Sequence, residues 1–133
     1  FCDRSGERVA AAHAGWRGLA GGVLENTLAA LRVPPEEVLV WLGPAIGPHA
    51  FEVGPEVRQA FLEGHAEAAV AFVPSVNAGR FMADLYALAR LRLAVSGVRS
   101  VHGGGFCTYS DPRFYSYRRN ARTGRFASLV WLV

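Results

Sequence analysis

Glycine, proline and arginine interrupt every long apolar stretch of this chain. Its 133 residues include 15 glycines and 7 prolines, and the longest apolar stretches break within about ten residues, short of the roughly 20 that a membrane-spanning helix requires. With 133 residues, of which 51% are hydrophobic, the chain is long enough to bury the core of one domain. The sequence therefore predicts a soluble chain forming one domain.

The hydrophobic periodicity predicts an alternation of short strands and helices. Segment 8–13 is typical of a buried strand, the periodic segment 16–31 of a helix, and the β-branched segment 38–42 of a second strand. The loop at 43–48 is too rich in proline and glycine to continue a sheet. The remaining predictions are helices at 56–63 and 81–95, and strands at 98–102, 114–117 and 126–133, the last two joined by a turn at 123–124. This order predicts an α/β (α+β) fold in which helices cover a mixed β-sheet.

The first residues lack an initiator Met and the basic and apolar regions of a signal peptide. We expect Phe1 and Cys2 to end a strand whose turn is formed by residues 3–6, so that the chain begins inside a longer protein. The two cysteines, Cys2 and Cys107, are too few for a disulfide framework. Reduced thiols and a cytoplasmic location are therefore expected.

The charged residues are distributed unevenly along the chain. All 14 basic residues are Arg, which excludes Schiff-base lysines and the phosphate-binding lysine of P-loop enzymes. Residues 1–75 carry five Arg and nine acidic residues, whereas residues 76–133 carry nine Arg and two acidic residues. This asymmetry indicates an anionic partner for the second half, with a solvated basic face as the alternative.

His13 is the first candidate for chemistry. It ends the predicted strand 8–13 and precedes Ala14 and Gly15, small residues that let a ligand approach closely. His13 could bind a metal or act as a general base. Alternatively, it could be a structural residue whose imidazole is buried and hydrogen-bonded to a backbone carbonyl. The other three histidines, at 49, 65 and 102, form no local pair that could hold a metal.

Two further groups of reactive side chains lie near the end of the chain. Segment 103–110 combines three glycines, the thiol of Cys107 and three hydroxyls, although a free Cys is most often a small buried hydrophobe. Five arginines follow within thirteen residues, with aromatic residues among them: Arg113, Arg118, Arg119, Arg122 and Arg125. Guanidinium groups beside aromatic rings suit a phosphate with a flat ring, or a nucleic acid.

Three groups of segments carry a family resemblance. They are HAGWRG at 13–18; GPAIGP at 43–48 with FEVG at 51–54; and CTYS at 107–110 with FYSYRR at 114–119 and TGR at 123–125. In order and spacing they resemble the laccase-domain family of YfiH-type proteins, formerly labelled polyphenol oxidases. Members of that family are nearly twice as long, so the resemblance implies that residues 1–133 form the C-terminal part of a single domain with a YfiH-like fold.

The resemblance implies a zinc-dependent purine nucleoside phosphorylase that also acts on methylthioadenosine and deaminates adenosine. In the family, zinc is held by a His in a Gln-Val-His-Gly segment, a Cys in an Ala-Asp-Cys segment, and the His that matches His13. The first two ligands are expected upstream of residue 1, and Cys2 does not match the family's Cys. The implied partners are a purine nucleoside and phosphate, with no nucleic acid or membrane, and the oligomeric state stays open.

Arg118 and Arg119 are carried over as catalytic candidates that hold phosphate. On the predicted strand 114–117 and its extension they would point to opposite faces, so at most one would face the site. Trp16, Arg17, Cys107 and Tyr109 match the family motifs without an assigned role. With one zinc ligand of three, the 133-residue chain alone is expected to bind zinc weakly and to be inactive.

Three other functions compete with this one. A copper oxidase requires clustered His and Cys ligands, which four dispersed histidines do not supply. A cysteine hydrolase could use Cys107 as nucleophile and His13 as base, because such pairs form in space rather than in sequence. An arginine-rich binding module without catalytic activity would show a steep dependence of nucleic-acid affinity on salt.

Overall fold

The computed structural model describes residues 1–133 and contains six strands and four α-helices. The strands are β1 Cys2–Asp3, β2 Val38–Leu42, β3 Glu52–Val53, β4 Phe72–Pro74, β5 Phe81–Ala83 and β6 Ser100–Gly103. The α-helices are α1 Trp16–Ala20, α2 Val23–Leu31, α3 Pro55–Leu62 and α4 Leu85–Val95, and two 3-10 helices span Pro35–Glu37 and Ala66–Ala71. None of these helices is long and apolar enough to cross a membrane.

The chain divides into two compact units. Unit 1 comprises Phe1–Leu42, Leu88–Gly103 and Ser128–Val133, and unit 2 comprises Gly43–Ala87 and Gly104–Ala127. Helix α4 contributes its first turn to unit 2 and its remainder to unit 1. The expectation of one domain stays a prediction.

Unit 1 contains the predicted mixed sheet. Strand β2 pairs antiparallel with β1 and parallel with β6. On β2, Val38 and Val40 are buried, and so are Ala89 and Leu93 of α4. Their burial follows from the alternation of a strand and the 3.6-residue period of a helix, and it confirms both the strand at 38–42 and the α/β class.

The predicted helix at 16–31 is two helices. Gly22 lies between α1 and α2 with φ +86°, a left-handed conformation that glycine adopts without steric cost. The apolar periodicity survives this break, because Leu19 of α1 and Leu24 and Leu28 of α2 are all buried. The chain therefore turns between two helices that share one apolar pattern.

Unit 2 contains a second, antiparallel sheet in the order β3–β5–β4. Helix α3 begins at Pro55, where the missing N–H and fixed φ of proline are tolerated, as the sequence predicted. Its buried residue Phe61 packs against Phe72 of β4, with ring centroids 6.0 Å apart. This aromatic pair therefore packs helix α3 against the second sheet.

The predicted helix at 81–95 begins later than expected. Residues 81–83 form strand β5, and Asp84 then caps α4, its Oδ1 accepting a hydrogen bond of 2.9 Å from the N–H of Ala87. The prediction failed because the apolar residues of strand β5 and those of helix α4 together have a helix-like spacing over residues 81–95. An Asp before the helix is the N-terminal signal that locates the boundary.

Three predicted strands are wrong. In segment 8–13 only Val9 pairs, in an isolated bridge with Cys2, and the segments 114–117 and 126–133 have no strand structure. Residues 126–133 are exposed despite their apolar composition. A strand exists only where a neighbour satisfies its backbone groups, and the chain pairs no strand with these segments, so the terminal hairpin does not form.

Asp3 stabilises the turn after β1. Its buried carboxylate accepts hydrogen bonds from the hydroxyl of Ser5 at 2.7 Å and from the N–H groups of Glu7 at 2.8 Å and Arg8 at 3.0 Å. The Ser5 hydroxyl and the backbone N–H groups hold the pKa of Asp3 below its ordinary value of 3.8. The turn is therefore most stable with Asp3 ionised.

We expect Asp3→Asn to lower Tm at neutral pH. Because the folded pKa of Asp3 is depressed, its contribution is present above the unfolded value near 4 and is lost as the pH falls through the folded pKa. Thermal unfolding between pH 2 and pH 7 should therefore show the largest difference at neutral pH and a shrinking one in acid. Glu36→Gln, at an exposed residue in no ion pair, serves as the control. A Tm difference for Asp3→Asn that is constant with pH would contradict the assignment.

Candidate functional site

His13 lies in the irregular segment between Val9 and helix α1. It is exposed, and a Cβ added at Gly15 would stand 3.3 Å from its Nε2, so the imidazole lies close over the Gly15 backbone. No hydrogen bond of its ring nitrogens is found within the chain. The expected strand around His13 is thus wrong, and the accessible imidazole excludes the structural role of a buried core histidine.

The chain by itself does not provide a metal centre. No group of three or more His, Cys, Asp or Glu residues is arranged to hold a metal ion. A catalytic zinc site needs three protein ligands, so His13 can supply only one of them. The residues present therefore do not fit a complete zinc site.

Arg119 organises the loop that contains the last motifs. Its guanidinium donates hydrogen bonds to four carbonyl oxygens: those of Thr108 at 3.0 Å, Tyr109 at 2.9 Å, Asp111 at 3.3 Å and Phe114 at 2.5 Å. The loop follows these contacts instead of forming the strand predicted at 114–117. The expectation that Arg118 and Arg119 lie on opposite faces of a strand is therefore wrong.

Arg118 has most of its donors free. Its side chain is exposed and donates one hydrogen bond of 3.1 Å, to the carbonyl oxygen of Glu52 on β3. Its guanidinium carbon lies 5.4 Å from the ring centroid of Phe51, a cation–π distance that fixes the orientation of the group. A guanidinium has five N–H donors, so Arg118 can still form a two-pronged contact with an anion.

The other arginines of the cluster differ in their availability. Arg113 forms a salt bridge of 2.6 Å with Asp111, and Arg125 donates to the carbonyl oxygens of Thr123 and Gly124. The side chain of Arg122 is exposed and has no partner in the chain. Arg118 is distinguished from Arg122 by its fixed position beside β3.

A cavity of about 380 Å³ lies within unit 2 beside Cys107. Its walls come from residues 47–50, Tyr86, residues 104–107, Tyr109 and Ser110. The N–H of Gly47 donates to the sulfur of Cys107 at 3.2 Å, and a Cβ at Gly47 would stand only 3.0 Å from the Cβ of Cys107. Glycine at position 47 is therefore required for this close approach.

Cys107 is more acidic than an ordinary cysteine. Burial, the largest single influence, raises the pKa of Cys107, but hydrogen bonds from Ser110, Gly47 and Tyr109 together lower it to about 7. A larger fraction of this thiol than of an ordinary cysteine is then ionised at neutral pH. The sequence identified Cys107 as a candidate, but the hydrogen bonds that lower its pKa come partly from Gly47, sixty residues earlier.

Tyr86 is a site residue that the sequence analysis missed. It lies in the first turn of α4, where its position in an apolar helical stripe is typical of a core residue. It is buried, yet its hydroxyl contacts the loops at 43–48 and 104–107 at once. The only available signal was chemical, because a buried tyrosine hydroxyl requires hydrogen-bond partners.

Comparison with known proteins supports the resemblance noted in the sequence. The family described as multi-copper polyphenol oxidoreductase laccase matches residues 1–133. The chain is 75% identical over 133 residues to a purine nucleoside phosphorylase of Pseudomonas aeruginosa, covering 99% of this chain and 55% of that relative. It is 54% identical over 134 residues to purine nucleoside phosphorylase YfiH of Escherichia coli, covering 100% and 54%. The chain thus spans about half the length of the curated relatives it matches.

Solved structures show the same fold. The crystal structure of the Neisseria meningitidis protein NMB0706 superposes with a TM-score of 0.95 at 59% identity, covering 98% of this chain and 54% of that one. YlmD from Geobacillus stearothermophilus superposes with a TM-score of 0.75 at 30% identity, covering 84% and 44%. These matches confirm the fold that the resemblance implied.

Proposed function

Because the chain belongs to the laccase-domain family of YfiH-type proteins, we propose that the protein containing it is a purine nucleoside phosphorylase. The observation that carries this proposal is the 75% identity, over 99% of the chain, to a relative named for that activity.

In the proposed reaction, phosphate replaces the base of the nucleoside. A phosphate oxygen forms a bond to C1′ of the ribose while the bond from C1′ to the purine nitrogen breaks. The electron pair of that bond goes to the purine, which is released after taking up a proton, and ribose 1-phosphate is the second product. The protein must therefore hold a dianionic nucleophile against a sugar that becomes electron-poor in the transition state.

Arg118 is the residue we assign to phosphate. Its free donors and its fixed position over Phe51 suit a bidentate contact with phosphate oxygens. Arg119 is assigned a positioning role, because it is bonded to four carbonyl oxygens of the loop 108–114.

His13 is proposed as one of three protein ligands of a zinc ion, with the other two contributed by sequence outside this chain. The proposal is supported by the accessible imidazole and by the match of residues 13–18 to the family motif. Phosphorolysis of methylthioadenosine, deamination of adenosine and a cytoplasmic location are finer parts of the same proposal. The proposed partners are a purine nucleoside and phosphate, without nucleic acid or membrane.

The experiment is an assay of the intact protein with inosine. We expect release of hypoxanthine that requires phosphate, with ribose 1-phosphate formed in equal amount. Release that continues without phosphate would identify a hydrolase, and no release in the presence of phosphate would contradict the proposal.

A cysteine hydrolase is the second candidate, because the pKa of Cys107 is lowered to about 7 beside a cavity. The two enzymes respond differently to Cys107→Ser. A hydrolase that uses the thiol as nucleophile should lose nearly all activity, whereas the phosphorylase should retain most of it. The activity that the Cys107→Ser protein retains therefore distinguishes a cysteine hydrolase from a phosphorylase.

A further inference from the structure

The hydroxyl of Tyr86 joins two loops of unit 2. Its oxygen accepts a hydrogen bond of 2.7 Å from the N–H of Ala45, in the loop 43–48. The hydroxyl lies within donating distance of the carbonyl oxygens of Phe106 at 2.9 Å and Gly43 at 3.2 Å. One buried atom therefore links the loop 43–48 to the loop 104–107.

The two loops contact each other directly beside this hydroxyl. Ala45 and Cys107 form an isolated parallel bridge, and the N–H of Thr108 donates to the carbonyl oxygen of Ala45 at 2.9 Å. The same alignment brings the N–H of Gly47 to the sulfur of Cys107 at 3.2 Å. A small separation of the loops would break that contact, because a hydrogen bond to sulfur weakens steeply with distance and angle.

From this geometry we infer that Tyr86 is a positioning residue for Cys107: its hydroxyl sets the spacing of the two loops and so holds the thiol against the Gly47 amide as a reactive group in the wall of the cavity. A phenol with a purely structural role would contribute to the stability of the fold without changing the chemistry of Cys107. The two roles differ in one measurable property, the ionisation of the thiol. This inference does not depend on the proposed function.

Several other groups near Cys107 can affect its ionisation. Ser110 and the backbone of Tyr109 also lower the pKa of Cys107. The titratable and charged side chains on the surrounding elements are Tyr86 of α4, His49 in the loop that follows Gly47, and Tyr109, Asp111 and Arg119 beyond Cys107. Substitutions at position 47, 86 or 109 leave all of these in place except the tyrosine that is itself altered.

The experiment measures the alkylation of Cys107 by iodoacetamide from pH 5 to pH 10 in the intact protein. The thiolate sulfur forms a bond to the methylene carbon, the carbon–iodine bond breaks, and iodide leaves with its electron pair after the thiol proton has passed to solvent. Mass spectrometry of the peptide containing Cys107 separates this thiol from Cys2. We expect the wild-type rate to have a midpoint near the pKa of about 7 that Cys107 has in the fold.

Tyr86→Phe should raise that midpoint by about one pH unit and lower the rate at pH 7 about fivefold, because the thiolate fraction falls. Tyr109→Phe is the matched control, since Tyr109 lines the same cavity and its hydroxyl has no partner in the chain. Its rate should stay within about twofold of wild type. Gly47→Ala, which crowds the sulfur directly, should shift the midpoint in the same direction as Tyr86→Phe.

Several results would overturn the inference. One is a wild-type midpoint between pH 8 and 9, the range of an unperturbed thiol. Another is a Tyr86→Phe protein that melts at a lower temperature but titrates as wild type does, which would leave Tyr86 a structural residue only. If Tyr86→Phe fails to fold, an unchanged midpoint in Gly47→Ala overturns the inference in its place.

Discussion

Arg118→Lys should lower kcat/KM for inosine phosphorolysis by about 30- to 1000-fold, equivalent to about 2–4 kcal/mol of transition-state stabilisation. An ammonium group retains the charge but cannot reproduce the planar, two-pronged contact of a guanidinium with phosphate. Adenosine deamination consumes water instead of phosphate, so we expect that activity to fall far less. Both reactions are assayed on the same preparation of the intact protein.

Arg119→Lys is the informative partner variant. A lysine cannot reach four carbonyl oxygens at once, so the loop 108–114 should lose order. We expect the free energy of unfolding to fall by about 1–3 kcal/mol, with a corresponding fall in Tm. Because this effect acts through the fold, both reactions should decline together. Equal and small losses in both reactions for Arg118→Lys would contradict a phosphate contact and return the arginine cluster to a solvated basic face.

The parts of the fold that were predictable from sequence are those fixed by local chemistry. Strand β2 is a short β-branched segment between breakers, and helix α3 has a proline in its first turn. Both signals act within a few residues, so no tertiary information was needed. The failures are of a different kind, since the apolar segment 126–133 has the composition of a strand but finds no neighbour with which to pair.

The candidate site could be predicted as a set of residues but not as an arrangement. Cys107 and the loop 43–48 were both singled out from sequence, yet the contact between Gly47 and Cys107 depends on how the chain returns sixty residues later. The roles of Arg118 and Arg119 also differ only in the fold, because adjacent arginines have the same intrinsic chemistry. Which guanidinium has its N–H donors bonded to carbonyl oxygens depends on the tertiary structure.

His13→Ala should abolish stoichiometric zinc binding by the intact protein. Removing one of the three proposed protein ligands should cost more affinity than the roughly 10- to 100-fold that loss of an outer hydrogen-bond partner costs. Zinc per protein after dialysis, measured by mass spectrometry, should fall from about one to near zero. Any stabilisation by added zinc, seen as a rise in Tm, should disappear as well.

His102→Ala is the control for this change, because His102 is an exposed histidine on β6 that lies outside the family motif. It should leave zinc content unchanged.

The 133-residue chain offers a second test, since it contains one of the three proposed ligands and no group of three metal donors. We expect it to bind zinc weakly and to show no phosphorolysis. Nanomolar, stoichiometric zinc binding by this chain, or by the intact His13→Ala protein, would mean that the ligands are other residues.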